Sequence, residues 1–298
     1  MKIYFVSAGA PRHGLNLQKE VQSFSDKYGW GWETSFYPWE KDGYASMETQ
    51  PSDWIWSMGN FGTVFQWMQT LNCKTIAHWI GTDVLQHAEM MHQGQYDPFD
   101  AATIHIADAI NLQQEVQELF RVDCGFVRSI PPQTYTPKPI TRWDNTMAYV
   151  PPGREDFFRW AWILELAKDY PDITFSVIPR PQKTTDLPNV NEMAEISGET
   201  RDEWYEKCFA YLRPIEHDGV GLTMIEFAQL GRFIFHSDTR IPHVLPARSV
   251  GEMEMNLDRI LSEKKSPDKK ISDYYTREFS YDALKDDMEK LKTRMERK

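Results

Sequence analysis

Asp218-Gly-Val-Gly-Leu-Thr-Met-Ile-Glu226 decides the reading of this chain. It lies between a strand-like run, Phe209-Ala-Tyr-Leu-Arg-Pro214, and a helix-like run, Thr223-Met-Ile-Glu-Phe-Ala-Gln-Leu230, that stops at Gly231. A strand, a glycine-containing loop and a helix start leave backbone N–H groups free at a positive dipole end, which suits a phosphate. The two carboxylates bracket the loop. Asp218 precedes it, and Glu226 is expected in the first turn of the helix, facing the same crevice. Phosphate needs donors, whereas sugar or ribose hydroxyls need acceptors, and this segment offers both. The competing reading is a glycine-rich turn with two solvated acids.

Working outward, the same rhythm of strand, loop and helix fills the chain. In the first half, strands are expected at Ile3–Ser7, Thr34–Tyr37, Asp53–Ser57, Lys74–Ile80, Ala102–Ala107 and Gly125–Arg128. Helices are expected over about 15–28, from about 64 to 69, and over 84–92 and 112–119. Strands alternating with helices indicate a parallel sheet covered on both faces. Residues 129–145 break the pattern, with four prolines in nine positions from Pro131 to Pro139. Such a run carries neither a helix nor a central strand, so the domain boundary is drawn there, giving domains 1–138 and 139–298. The rhythm then resumes, with strands at 146–150, 173–178, 191–196, 209–212 and 232–237. Helices are expected over 156–169, 201–207, 223–230 and 251–261. Residues 262–270 read as a polar connector, and a charged amphipathic helix from about Tyr281 to Arg297 closes the second domain.

Two such sheets joined by a proline-rich linker would face one another across a cleft. Ligands of open α/β sheets bind beyond the carboxyl ends of the strands. Gly153-Arg154 and Arg159 fall at such an end, where two guanidinium forks and a helix start would meet a diphosphate. That cluster would stabilise the charge on a departing nucleoside diphosphate. The competing reading is a pair of surface arginines in a loop.

At 298 residues, two domains fit better than one, and 41% hydrophobic with 26% charged residues is a soluble globular composition. A net charge of −11 argues against a primary nucleic-acid binder, which needs clustered Lys and Arg. Cys73, Cys124 and Cys208 are widely spaced without a CxxC pair, so they read as reduced and buried. The opening strand is too short for a signal peptide, and no apolar run approaches the roughly 20 residues that span a bilayer. A cytoplasmic protein is expected. Neither HExxH nor Asp-x-Asp is present, so no metal ligands are assigned. His87 and His92 read as surface histidines, while His217 and His236 are left between a cleft position and an ordinary loop.

The C-terminal half resembles the donor-binding domain of GT-B glycosyltransferases, particularly the retaining family four. That family carries an acid-x7-acid signature with glycines after the first acid. Asp218-Gly-Val-Gly-Leu-Thr-Met-Ile-Glu226-Phe-Ala is similar to it in spacing, glycines and following helix. Gly153-Arg154 with Arg159 resembles the family's Gly-Arg and later Lys, with Arg in place of Lys. Ile196-Ser-Gly198 is similar to its base-proximal loop, and His78-Trp-Ile-Gly-Thr-Asp83 to its cleft-facing His…Gly…Asp segment.

The resemblance implies an α/β fold of GT-B type, with two Rossmann-like domains of parallel sheet facing across a cleft. It implies a sugar transferred from a nucleoside-diphosphate sugar to a hydroxyl acceptor, with retention and without a metal or cofactor. Residue by residue, it puts Glu226 on the ribose, Asp218 on the donor sugar, and Arg154 and Arg159 on the diphosphate beside Gly153. Gly219, Gly221, Leu222 and Thr223 would bring amides to the phosphates or sugar, and Gly198 would lie near the base. His78, Asp83, Gly9 and His13 would complete the acceptor side. Asp218 is one methylene shorter than the family's Glu. A non-catalytic nucleotide-sugar binder and a phage-type enzyme acting on a modified DNA base are the alternatives. The acceptor could be a glycan, a lipid-linked group or a nucleobase. The basic terminal helix is read as an ordinary surface helix, with an anionic membrane as its other possible contact.

Overall fold

The computed structural model describes the chain except for residues 8–10, 39–46, 60–63, 65, 66, 69, 95–102, 129–133 and 265–267; at 11–13, 38 and 103 it describes the backbone alone. The described elements begin with β1 (Lys2–Ser7), α1 (Pro11–Tyr28), β2 (Glu33–Pro38), β3 (Trp54–Met58) and β4 (Lys74–Trp79). Next come α2 (Asp83–His92), β5 (Thr103–Ala107), α3 (Ile110–Phe120) and β6 (Cys124–Phe126). Then follow β7 (Asn145–Tyr149), α4 (Trp160–Asp169), β8 (Thr174–Ile178), β9 (Val190–Glu192), α5 (Gly198–Lys207) and β10 (Ala210–Arg213). The chain ends with α6 (Leu222–Gln229), β11 (Phe233–His236), β12 (Leu245–Pro246), α7 (Val250–Glu263), α8 (Lys269–Glu278) and α9 (Tyr281–Glu296).

Two units form. Unit 1 holds residues Met1–Pro132 and Phe279–Lys298, and unit 2 holds Gln133–Glu278. Each is built on a six-stranded sheet, ordered β2-β1-β3-β4-β5-β6 in unit 1 and β12-β11-β10-β7-β8-β9 in unit 2. Every strand pairing is parallel. Parallel strands covered on both faces read as near-continuous apolar runs, and β3 is buried at every position. The strand order reverses between β1 and β3 in unit 1 and between β7 and β10 in unit 2. At such a point the connections leave in opposite directions and open a crevice at the carboxyl ends.

The terminal helix departs from the sequence expectation. It was placed with the second domain, yet Leu284, Met288, Leu291 and Met295 lie in one core with Ile3, Phe5, Trp54, Trp56 and Ile76 of unit 1. The spacing of those four makes a single stripe. Burying each is worth about 1.5–3 kcal/mol, whereas an exposed pair such as Lys285–Glu289 is screened by solvent and adds little. The stripe outweighs the charged surface. Arg128 forms a buried ion pair with Asp287 and fixes the helix against the end of β6.

The proline-rich segment is less of a linker than its composition suggests. From residue 134 it is bound to unit 2, so the boundary falls at Pro132 instead of 138. Tyr135 N–H donates to Gln229 Oε1 at 3.3 Å, Lys138 N–H donates to the Leu230 carbonyl at 3.3 Å, and Arg232 donates to the Lys138 carbonyl. Extended chain leaves these groups free to bond outward. The sequence also missed β12 and α8. In α8, Ile271 and Tyr275 are the buried hydrophobic residues, too narrow a stripe to stand out. No helix among the described residues is long and apolar enough to cross a membrane.

Candidate functional site

The carboxyl ends of β7 and β10, neighbours at the reversal in unit 2, release the two loops that hold the sequence motifs. Glu216 N–H donates to the Phe157 carbonyl at 2.9 Å and joins one loop to the other. The Phe158 ring links them a second time, with the guanidinium carbons of Arg154 and Arg213 each 5.6 Å from its centroid.

In the β7 loop, Gly153 takes φ 78°, a left-handed conformation that favours glycine. The Glu155 carboxylate accepts backbone N–H groups, including that of Gly153, and pairs with Arg180 at 3.1 Å. Those backbone bonds, followed by Arg180, hold its carboxyl below the usual range. Arg180 is itself buried and pairs with Glu192 at 3.0 Å, which ties the loop to β9. The helix expected from residue 156 starts at Trp160. Its late start has a local cause. Trp160 N–H donates to Glu155 O and Arg159 N–H to Asp156 O, with Arg159 left-handed at φ 52°. That pairing closes one turn in the manner of a Schellman motif before the helix begins.

Arg154 is exposed over the Phe157 ring at 4.3 Å, and Arg159 lies 5.4 Å from the Trp162 ring. Neither has a carboxylate partner among the described residues. The positive charge of the β7 loop is uncommitted. Across at β10, Gly221 caps α6 without a side chain, so Leu222 and Thr223 begin the helix with no side-chain acceptor on their N–H groups. Gly219 is buried in that loop, and Gly198, at φ 58°, opens α5.

Both acids of the motif have arginine partners that the sequence reading did not find. Asp218 pairs with Arg213, whose side chain also donates to the Tyr211 hydroxyl at 3.2 Å. Glu226 pairs with Arg201 at 3.3 Å and accepts from the Tyr135 hydroxyl at 3.3 Å, with Tyr205 as a further donor. Because α6 begins at Leu222, Glu226 falls beyond the first turn where it was expected, and its side chain is only 1% exposed. Burial raises its pKa, opposed by Arg201 and the tyrosines. Arg201 lies on α5, three residues beyond the Ile196–Gly198 loop already singled out; Tyr135, 91 residues before Glu226, left no signal in the spacing.

His236 ends β11 beside Arg213 in register and is fully buried. Its Nδ1 accepts from Asp238 N–H at 2.9 Å, which leaves the proton on Nε2, and Nε2 has no hydrogen-bond partner among the described residues. Burial lowers its pKa to about 4, so it is neutral at pH 7. His217 is half-buried in the β10 loop.

The expected acceptor-side residues of unit 1 behave differently. His78 is fully buried, with Nδ1 accepting from Trp56 Nε1 at 3.1 Å and Nε2 at 2.9 Å from the Val127 carbonyl. Burial pushes its pKa down to about 3. Both ring nitrogens are engaged by protein groups, so neither is open to a substrate in this structure. Asp83 is also buried, and its carboxylate accepts from Gly81 N–H at 2.9 Å and Ile80 N–H at 3.3 Å, closing its own turn. His87, read as a surface residue, is fully buried edge-on to Trp79 at 5.1 Å; His92 is exposed. Gly9 lies outside the described residues, as does the side chain of His13. Cys124 and Cys208 are buried and Cys73 half-buried, all as free thiols.

No protein-family model matches the chain. No curated protein matches it by sequence either. Solved structures do match. Sucrose-phosphate synthase from Thermosynechococcus elongatus aligns over 99% of both chains with TM-score 0.69 and 13% identity. Anabaena HepE, solved with UDP and glucose, aligns over 98% of this chain and 99% of its own with TM-score 0.66 and 10% identity. The pneumococcal O-GlcNAc transferase GtfA, solved with UDP and GlcNAc, gives TM-score 0.54 at 14% identity. That match covers 83% of this chain and 57% of GtfA, so the chain spans just over half of that protein's length. With two parallel six-stranded sheets and flanking helices, the chain has the α/β fold of the GT-B glycosyltransferases.

Proposed function

We propose that the chain is a glycosyltransferase that moves a sugar from a nucleoside-diphosphate sugar to a hydroxyl acceptor. The observation that carries this reading is the state of Arg154 and Arg159: two arginines without carboxylate partners, in the loop that leaves the sheet at its reversal of strand order. The fold, and the complexes of HepE with UDP and glucose and of GtfA with UDP and GlcNAc, support the choice of donor class.

In this reading Arg154 and Arg159 bind the diphosphate, together with the first N–H groups of α6 at Leu222 and Thr223. Glu226 accepts from the ribose and Asp218 from the sugar. The bond between the anomeric carbon and the phosphate oxygen breaks, and its electron pair leaves with the diphosphate, where the arginines stabilise the growing charge. The acceptor oxygen bonds to the same face of the sugar, and its proton passes to the departing phosphate oxygen. The configuration is retained. No metal is needed, because guanidinium groups and a helix end carry the charge compensation.

A non-catalytic nucleotide-sugar binder is the second reading. It is favoured by one observation: Asp218, a methylene short of the family's Glu, is paired with Arg213. A thermal-shift panel of nucleotide sugars identifies the donor, since a ligand that binds the folded chain raises its apparent stability. NMR of the stabilising donor then separates the readings. Slow hydrolysis or transfer supports the enzyme, whereas a stabilised protein and an intact donor support the binder.

A further inference from the structure

Glu226 is enclosed by protein donors. Its side chain is 1% exposed, and it is bonded by Arg201, Tyr135 and Tyr205. A ribose hydroxyl therefore gains this carboxylate only by replacing a donor already there. The three donors are not equally replaceable. Tyr205 is buried and its ring packs on Phe227 at 4.5 Å, so withdrawing it would open the core. Arg201 supplies the cation that offsets the charge of a buried carboxylate, and losing that is costly. Tyr135 is neutral and half-buried, and it sits on extended chain outside any helix or strand. Its hydroxyl has other partners within the same cluster: it accepts from Arg201 Nη2 at 2.7 Å and lies 3.3 Å from Asp202 Oδ1 as a donor.

From this we propose that the Tyr135 hydroxyl stands in for a ribose hydroxyl on Glu226, and that nucleotide binding exchanges one for the other. Tyr135 is then a positioning residue: it keeps the Glu226 carboxylate oriented, and it competes with the nucleotide for it. Asp202 is 44% exposed on its side chain and offers the displaced hydroxyl a second acceptor. The exchange swaps one neutral donor for another, so its net effect on affinity is that of a single hydrogen bond. This inference rests on the reading of Glu226 as the ribose acceptor.

Calorimetric titration of the full chain with UDP, GDP and ADP, and with their 2′,3′-dideoxy counterparts, tests it in the wild type and in Tyr135→Phe. Removing the competing hydroxyl is expected to tighten binding of the preferred ribonucleotide by about 3–10-fold. The dideoxy nucleotide, which has no hydroxyl to exchange, should change by less than about twofold. Equal or weaker ribonucleotide binding by a folded Tyr135→Phe protein overturns the inference. Equal tightening for both sugars overturns it too, because Tyr135 would then be loosening the site in general. Tyr135→Leu repeats the measurement if Phe lowers the melting temperature. If neither protein binds any of the three diphosphates, the functional reading falls as well. Binding without the ribose-dependent split removes the exchange and leaves that reading intact.

Discussion

Polar residues near the carboxyl ends of the two sheets differ in how far the protein itself engages them. In unit 1, His78 and Asp83 are buried and bonded to their own strand ends and turns. In unit 2, Arg154 and Arg159 rest on aromatic faces with no carboxylate partner among the described residues. A buried polar group must be bonded within the protein or it destabilises the fold. An exposed guanidinium has no such constraint and keeps its hydrogen-bonding capacity for a ligand. For cationic side chains, being close to a strand end therefore marks a candidate site less well than also lacking a carboxylate partner.

Arg154→Ala offers the largest effect. If the charge of that loop serves a departing diphosphate, turnover with the preferred donor should fall about 100–1000-fold, with the melting temperature close to wild type. Unchanged turnover would remove the contrast between the two ends. His78→Ala is the mirror experiment. It leaves Trp56 Nε1 and the Val127 carbonyl without their buried partner, so stability should drop by about 3 kcal/mol. Activity per folded molecule should stay within about twofold of wild type. A stable His78→Ala protein that had lost turnover would return His78 to the reaction.

The pH dependence of stability gives a smaller effect on the same residue. His78 has a pKa of about 3 in the fold against 6.5 for an unperturbed histidine. Below pH 6.5 the unfolded chain takes up a proton that the folded chain refuses until about pH 3, so stability is lost as pH falls through that window. From pH 7 to pH 5 the loss is about 2 kcal/mol for this one group. Urea unfolding at the two pH values should show a shallower dependence in His78→Gln, and identical slopes would mean that His78 is not held neutral. His105 and His236, lowered by burial to about 3 and about 4, act in the same direction and remain in the variant.

Gly153→Ala is the gentlest probe of the unit 2 end. Among the described residues, no heavy atom beyond Gly153 and its chain neighbours lies within 4 Å of a Cβ at this position, so the change tests backbone strain alone. At φ 78° the cost is about 1 kcal/mol. A melt that shifts with little change in donor affinity indicates that Arg154 keeps its place. A large loss of affinity would show that this turn sets the position of the guanidinium.

The order of strands and helices was legible because parallel sheet imposes apolar runs, and helices impose a stripe. The fold follows from that alternation, and so does the placing of Gly153, Arg154, Arg159 and the Asp218–Gly221 loop after strand ends. Helix starts were less legible. Nothing in the composition of residues 154–159 announces that Arg159 turns left-handed and delays α4 to Trp160. The terminal helix was misassigned because its apolar stripe matches any open sheet face, and only packing selects which one.

By itself, the sequence determined that two carboxylates and two arginines would gather at strand ends of one parallel sheet. The repeat of buried strand, loop and helix admits few other arrangements. Tertiary structure alone decided which of those groups are engaged. Arg213 on the same strand end, Arg201 on α5 and Tyr135 from the proline-rich segment reach the two acids through space. No such partner reaches Arg154 or Arg159 among the described residues. Local sequence fixes where a charged side chain starts, but its freedom to bind depends on what the rest of the chain packs against it.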